Sequence, residues 1–354
     1  MFNLLKTSLC AAVAAAVLAF TSASVNAETR IQGAGATFPA PLYAKWIEEY
    51  GKLHPDIKID YSAVGSGTGI ANITSRIVQF GASDAPLTDA QEKALPAKAL
   101  HLPTVAGPAV LIYNIKGVTS LKLTGAVLAD IYLKKITKWN DSRIISLNSG
   151  VKFPAAPNDS IVVVHRSDGS GTSFIFTDYL SKVSKQWETD LGANTAPDWP
   201  VGIAGKGSDG VTAAVKNSEG SLGYVELAYA KKNNLSFATQ INKDGKEVQP
   251  TIDAVNAAAA TVTFPDNMKV SITNAAGATS YPICGFTYLL VYEDMSWTKD
   301  QAVALETVKF IQWCETDGQA MAADLGYSKL PKAAQDKVVA KLKTITFNGA
   351  PLLK

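Results

Sequence analysis

Three segments of this chain share one design, an extended or turn stretch, then small residues, then a helix start. They are Gly33–Pro41 (GAGATFPAP), Val64–Ile70 (VGSGTGI) and Ile161–Phe176 (IVVVHRSDGSGTSFIF). Units of this kind build alternating strands and helices, which makes the chain an α/β protein. They also set out a chemistry. The first N–H groups of a helix have no intrahelical partner, and Ser and Thr hydroxyls beside them add donors, so each such turn is a potential anion site without much net charge.

The rest of the pattern agrees with that class. Leu42, Trp46 and Tyr50 share one helical face, and Ile57, Ile59 and Tyr61 alternate as in a half-buried strand. Ile70, Ile73 and Ile77 return to helical spacing, and Thr88 to Gln91 reads as a capping box. Thr298 and Gln301 are expected to cap a final helix that carries Val308, Phe310 and Ile311. Val105–Tyr113 (VAGPAVLIY) and Ile283–Tyr292 (ICGFTYLLVY) read as long apolar strands. They serve either as two crossovers between domains, near Gly107 and Cys284, or as two ordinary core strands. A single core rarely grows beyond about 250–300 residues, so a chain of 354 is expected to hold two domains.

The N-terminus reads as an address. Lys6, the apolar run Leu9–Phe20 and the A-x-A-like Val25-Asn26-Ala27 form a signal peptide over residues 1–27, with cleavage after Ala27 and export to the periplasm. Cys10 lacks the small preceding residue that a lipid anchor needs. Formal net charge is only +2, and Lys6 supplies one of those charges within the leader, which argues against nucleic acid or an anionic membrane as the partner. Cys284 and Cys314 remain after cleavage; export permits a disulfide between them, and two separate buried thiols fit equally.

The third segment adds charge to the donor turns. Arg166 precedes Asp168 by two residues in a tight turn. A guanidinium offers two parallel N–H bonds to a tetrahedral oxyanion, and Asp168 is placed to brace it. His165, one residue before on a strand, faces the other way. Enzyme motifs fare poorly. Gly205-Lys206 is followed by Gly207, Ser66 and Ser170 lack the paired glycines of a nucleophile elbow, and His54, His101 and His165 show no zinc spacing. No cofactor and no metal is expected.

Gly33–Trp46 (GAGATFPAPLYAKW), Phe80–Leu87 (FGASDAPL) and Arg166–Phe176 (RSDGSGTSFIF) closely resemble the periplasmic phosphate-binding proteins of phosphate-specific ABC transporters. So do Ile131–Asp141, Gly202–Val211 and Gly220–Ala230, in the family's order. The resemblance implies a two-lobe periplasmic binding protein fold of type II, with a hinge of two crossover strands. Lobe I would comprise 28–106 and 284–354, and lobe II 107–283. It further implies a monomeric, non-enzymatic binder that captures inorganic phosphate and hands it to membrane permease subunits. Thr37, Phe38 and Ser66 would donate from one lobe, and Arg166, Ser170, Gly171 and Thr172 from the other. Asp84 would accept from protonated phosphate and Asp168 would brace the arginine. Three features depart from the family pattern: the second loop reads GSGTG, His165 stands where a second arginine is usual, and Cys284 and Cys314 are not part of the pattern. The alternatives are a binder of another tetrahedral oxyanion such as sulfate, and an exported phosphoryl hydrolase.

Overall fold

The computed structural model describes residues 28–354, so the leader read over residues 1–27, with Cys10 and the Ala27 site, lies outside the described residues. The elements that position the site run, in chain order, as β1 Thr29–Gly35, α1 Ala40–Leu53, β2 Ile57–Ala63, α2 Ser66–Thr74, β3 Phe80–Ser83, β4 Ala99–Asn114, β5 Val162–Arg166, α3 Gly171–Val183, β6 Ile203–Gly205, α4 Gly207–Asn217, β7 Ser221–Glu226, α5 Leu227–Lys232, β8 Cys284–Tyr292 and α6 Gln301–Glu315.

The strands join in the order β2-β1-β3-β8-β4-β7-β5-β6, with Ser236–Phe237 and Ser328–Lys329 paired onto β4 outside that path. β1 is parallel to β2 and β3, and β5 is parallel to β6 and β7. Between these two parallel groups stand β8 and β4, antiparallel to each other and to their outer neighbours. β4 pairs with β8 over Ala99–Pro108 and with β7 over Ala109–Asn114, so it changes partner between Pro108 and Ala109. Both strands are buried almost end to end, which explains why they read as unbroken apolar runs. This is an α/β periplasmic binding protein fold.

Three of these parallel strands, β1, β2 and β5, each end in one of the donor turns. The α1 face bearing Leu42, Trp46 and Tyr50 is buried, and the Trp46 Nε1–H donates to the Gly318 carbonyl at 2.7 Å. Thr88 and Gln91 do form the reciprocal capping box.

Three expectations need correction. Ile77 does not continue α2, which ends at Thr74; its side chain is 60% exposed. Asp300, not Thr298, caps α6, its Oδ1 accepting from Ala302 N at 2.8 Å. Lys299, at φ 58°, breaks the chain between a short 3₁₀ turn and that cap, and a further helix, Lys332–Leu342, follows α6. Cys284 and Cys314 are both free and buried, so the candidate disulfide is not formed. Cys314 lines the same small cavity as Leu289, which lies five residues along β8 from Cys284, roughly 16 Å at the strand rise. A disulfide requires Cα atoms within about 7 Å.

Candidate anion-binding site

The three donor turns meet at one point. Thr37 and Phe38 lie between β1 and α1, where the chain turns before the helix begins. Pro39 accepts from Leu42 and Tyr43, and the N–H groups of Thr37 and Phe38 meet no acceptor among the described residues. Tyr229 on α5 donates to the Thr37 carbonyl at 2.7 Å. In a trans peptide the C=O and N–H point in opposite directions, so this bond fixes the direction of the Phe38 N–H.

The second turn places Ser66 at the first position of α2. Gly65 before it has φ 95°, and a Cβ there would sit 2.2 Å from Asp168 Oδ2, so only glycine serves both the dihedral and the approach. The Ser66 hydroxyl oxygen accepts from Gly171 N at 3.0 Å and from Asp84 N at 3.3 Å. The Gly67 N–H donates to the Gly169 carbonyl at 2.9 Å. The second and third turns are therefore in direct contact.

The third turn brings the charge. The Arg166 guanidinium donates to Asp168 through Nε at 2.8 Å and Nη2 at 2.5 Å, and through Nη1 to Thr37 Oγ1 at 3.1 Å. Arg166 is buried and Asp168 nearly so. Burial raises the Asp168 carboxyl, but the guanidinium and the Gly207 N–H outweigh it and hold it below the usual carboxylate range. Ser170 caps α3 by accepting from Ser173 N at 3.0 Å. The Thr172 hydroxyl is buried without a partner, one residue into the same first turn.

Asp84 faces this group from the end of β3. It is 3% exposed, and its Oδ1 has no hydrogen-bond partner among the described residues. A Cβ on Gly171 would lie 2.5 Å from the Asp84 Cβ, so glycine is needed for α3 to approach. Burial pushes the Asp84 carboxyl up to about 7, against the pull of Thr287 and Arg166. All eight expected contact residues, and the bracing Asp168, thus gather at one place in the fold, which brings together many donors, one cation and one unmatched acceptor.

A model of the PBP superfamily domain matches residues 21–317. The phosphate-binding protein PstS of Pasteurella multocida is 40% identical over 333 residues, 93% of this chain and 94% of that one. The chain belongs to the PBP superfamily and, within it, to the PstS family. PstS of Haemophilus influenzae is 38% identical over 320 residues, 89% of this chain and 92% of that one. Among solved structures, a high affinity periplasmic phosphate-binding protein (PfluDING) bound with phosphate has the same fold. Its TM-score is 0.72 at 22% identity, with 88% of this chain and 93% of that chain covered.

The departures from the family pattern find their places here. The His165 ring places Nδ1 3.0 Å from the Arg166 carbonyl oxygen, stacks on Trp199 with ring centroids 5.0 Å apart, and is held below its ordinary pKa by burial. Reading the sequence missed three residues that hold the donors. Ser208 on α4 shares a 2.8 Å hydrogen bond with Thr37 Oγ1. Tyr229 holds the Thr37 carbonyl, and Tyr327 donates to the Phe38 carbonyl at 2.6 Å. Ser208 and Tyr229 lie inside segments that carry the resemblance, but a lone Ser or Tyr gives no local pattern. Tyr327 comes from 289 residues away, so only the fold reveals it.

Proposed function

We propose that this chain captures inorganic phosphate in the periplasm and delivers it to an ABC-type importer, working as a monomer and doing no chemistry on the anion. The observation that carries this reading is the pairing of many fixed donors with the single unmatched acceptor Asp84. Thr37 and Phe38 donate from the first turn and Ser66 from the second. Arg166, Ser170, Gly171 and Thr172 donate from the third, with Asp168 bracing the arginine. Near neutral pH, phosphate carries at least one P–O–H, and an ionised carboxylate accepts that hydrogen bond. Sulfate has only lone pairs to offer it. Hydrolysis is disfavoured by the same geometry: the Ser66 and Ser170 oxygens accept backbone N–H groups and so serve as a turn brace and a helix cap.

Lobe I takes residues 28–106 and 284–354, and lobe II 107–283. The change of partner along β4 at Pro108 supports a crossover there. Thr37, Ser66 and Asp84 then belong to one lobe and Arg166 and the α3 start to the other, so only the closed form surrounds the anion. Export follows from the leader read over residues 1–27; intact mass of the secreted protein is expected to begin at Glu28, and a retained leader or an added lipid refutes it. The function is tested by calorimetry on phosphate-stripped protein. Tight binding of phosphate with none of sulfate is expected; equal binding of both, or turnover of a phosphate ester, overturns the reading.

A further inference from the structure

Glu226 ends β7 and caps α5, its Oε2 accepting from the Ala228 N–H at 2.7 Å. It is fully buried, and its Oε1 has no hydrogen-bond partner among the described residues. Tyr327, from the C-terminal part of the chain, places its hydroxyl oxygen 3.0 Å from that same Oε2 and 2.6 Å from the Phe38 carbonyl. A phenol has one proton, and a carbonyl only accepts. At 2.6 Å the phenol proton lies on the line to Phe38. The contact between Tyr327 and Glu226 is then oxygen to oxygen and needs a second proton, which only the carboxyl can supply.

We propose that Glu226 is a positioning residue that holds a proton in the closed protein, donating it to Tyr327 so that Tyr327 can hold the Phe38 carbonyl, and that it gains this proton as the lobes close on phosphate. The proposal rests on the phosphate-capture reading above. Three sides of its surroundings bear on it. Burial, the largest influence, drives the carboxyl well above its ordinary range against the pull of the Ala228 and Leu227 N–H groups and of Lys231 on α5. Tyr229 and Asp84 bear on Tyr327 from the anion side and oppose further negative charge there. The Glu226–Tyr327–Phe38 contacts also lie against the crossover. A Cβ on Gly107 would sit 2.9 Å from the Phe38 ring and 3.2 Å from the Tyr327 ring, and Glu226 itself pairs with Ala109 of β4. Motion about β4 therefore changes the separation of Glu226, in lobe II, from Tyr327 and Phe38, both in lobe I, while the bond from Ala228 N–H to Glu226 stays within lobe II.

The test counts protons. Phosphate-stripped full chain is titrated with inorganic phosphate at pH 7.5 in two buffers of different ionisation enthalpy, which gives the protons taken up per phosphate bound. Wild type is expected to take up more than Glu226→Gln, by up to one proton, because the contributions of Asp84 and of phosphate itself are common to both. Equal uptake in the two proteins overturns the proposal. A second measurement does not depend on how the variant folds. The infrared difference spectrum of phosphate binding should show a protonated-carboxyl C=O band that persists in Asp84→Asn; its absence there also overturns the proposal. Failure of wild type to bind phosphate at all is a separate result, and it refutes the function proposed above instead.

Discussion

Asp84→Asn tests the chemistry of the cleft most directly. The change keeps the size of a side chain that is 3% exposed and replaces an acceptor by a group that can also donate. In the native protein a sulfate oxygen facing Asp84 Oδ1 leaves two buried acceptors opposed. A site built around a substrate hydroxyl rejects an analogue lacking it by about 10⁴–10⁵-fold. The variant is expected to recover most of that factor for sulfate, and to lose phosphate affinity because one acceptor is gone. The native protein has a milder route to the same end, which is to protonate Asp84. Burial raises the carboxyl in the closed cleft, so the neutral form gains ground as pH falls from 8 to 6. Native affinity for sulfate should therefore rise over that interval, while that of Asp84→Asn stays flat. Competition of radiolabelled phosphate by sulfate at both pH values measures all four quantities. If the variant still ignores sulfate in large excess, or if the native protein shows no pH dependence where the variant does, Asp84 is not the selecting group.

Arg166→Lys removes the paired bonds to Asp168 and the reach to Thr37; losing one partner of a buried, hydrogen-bonded charge pair costs about 2–5 kcal/mol, so calorimetry should show phosphate binding weakened roughly 30- to 5,000-fold, and an unchanged Kd refutes the role. Phosphate should shrink the radius of gyration of verified ligand-free protein in small-angle scattering, since donors sit on both lobes; an unchanged radius counts against closure. Thiol titration of the processed, unreduced chain should find two reactive thiols on unfolding and almost none before it, because burial pushes both Cys284 and Cys314 well above the ordinary thiol range; no thiols after unfolding means the disulfide exists after all.

What the sequence disclosed depended on whether the signal was local. The α/β class followed from strand, turn and helix following each other within a dozen residues, and β4 and β8 stood out because a strand buried on both faces is apolar throughout. The capping box at Thr88 was legible because both of its bonds span three residues. The α6 cap was misplaced because Thr298 and Asp300 are both good caps, and only the left-handed turn at Lys299 decides between them. The disulfide failed for a related reason: counting cysteines says nothing about separation, and the register of β8 sets that. Within the site, the donor turns could be found from Gly and Ser spacing. Their convergence could not, because Arg166 meets Thr37 across 129 residues and Gly171 meets Ser66 across 105.

The charges in the cleft explain why the binding work falls to dipoles. Arg166 is the one guanidinium at the site, and Asp168 takes two of its N–H directions, which leaves Nη1 pointed at Thr37. An exposed, unbraced arginine would attract any anion. A braced one supplies direction with little net charge, and a weak net field cannot rank anions by charge alone. Ranking then rests on geometry and proton count: several N–H and O–H groups fixed by helix starts, against one carboxylate that demands a proton. Each donor is fixed by a bond on its far side. Tyr229 holds the peptide of Phe38, Ser208 holds the Thr37 hydroxyl, and Asp168 holds the guanidinium. Donors held in this way lose little freedom when an anion arrives, and they cannot turn to suit an anion of another proton count. Preorganisation thus serves affinity and selectivity through the same bonds, and relaxing any one of these far-side partners should weaken both together.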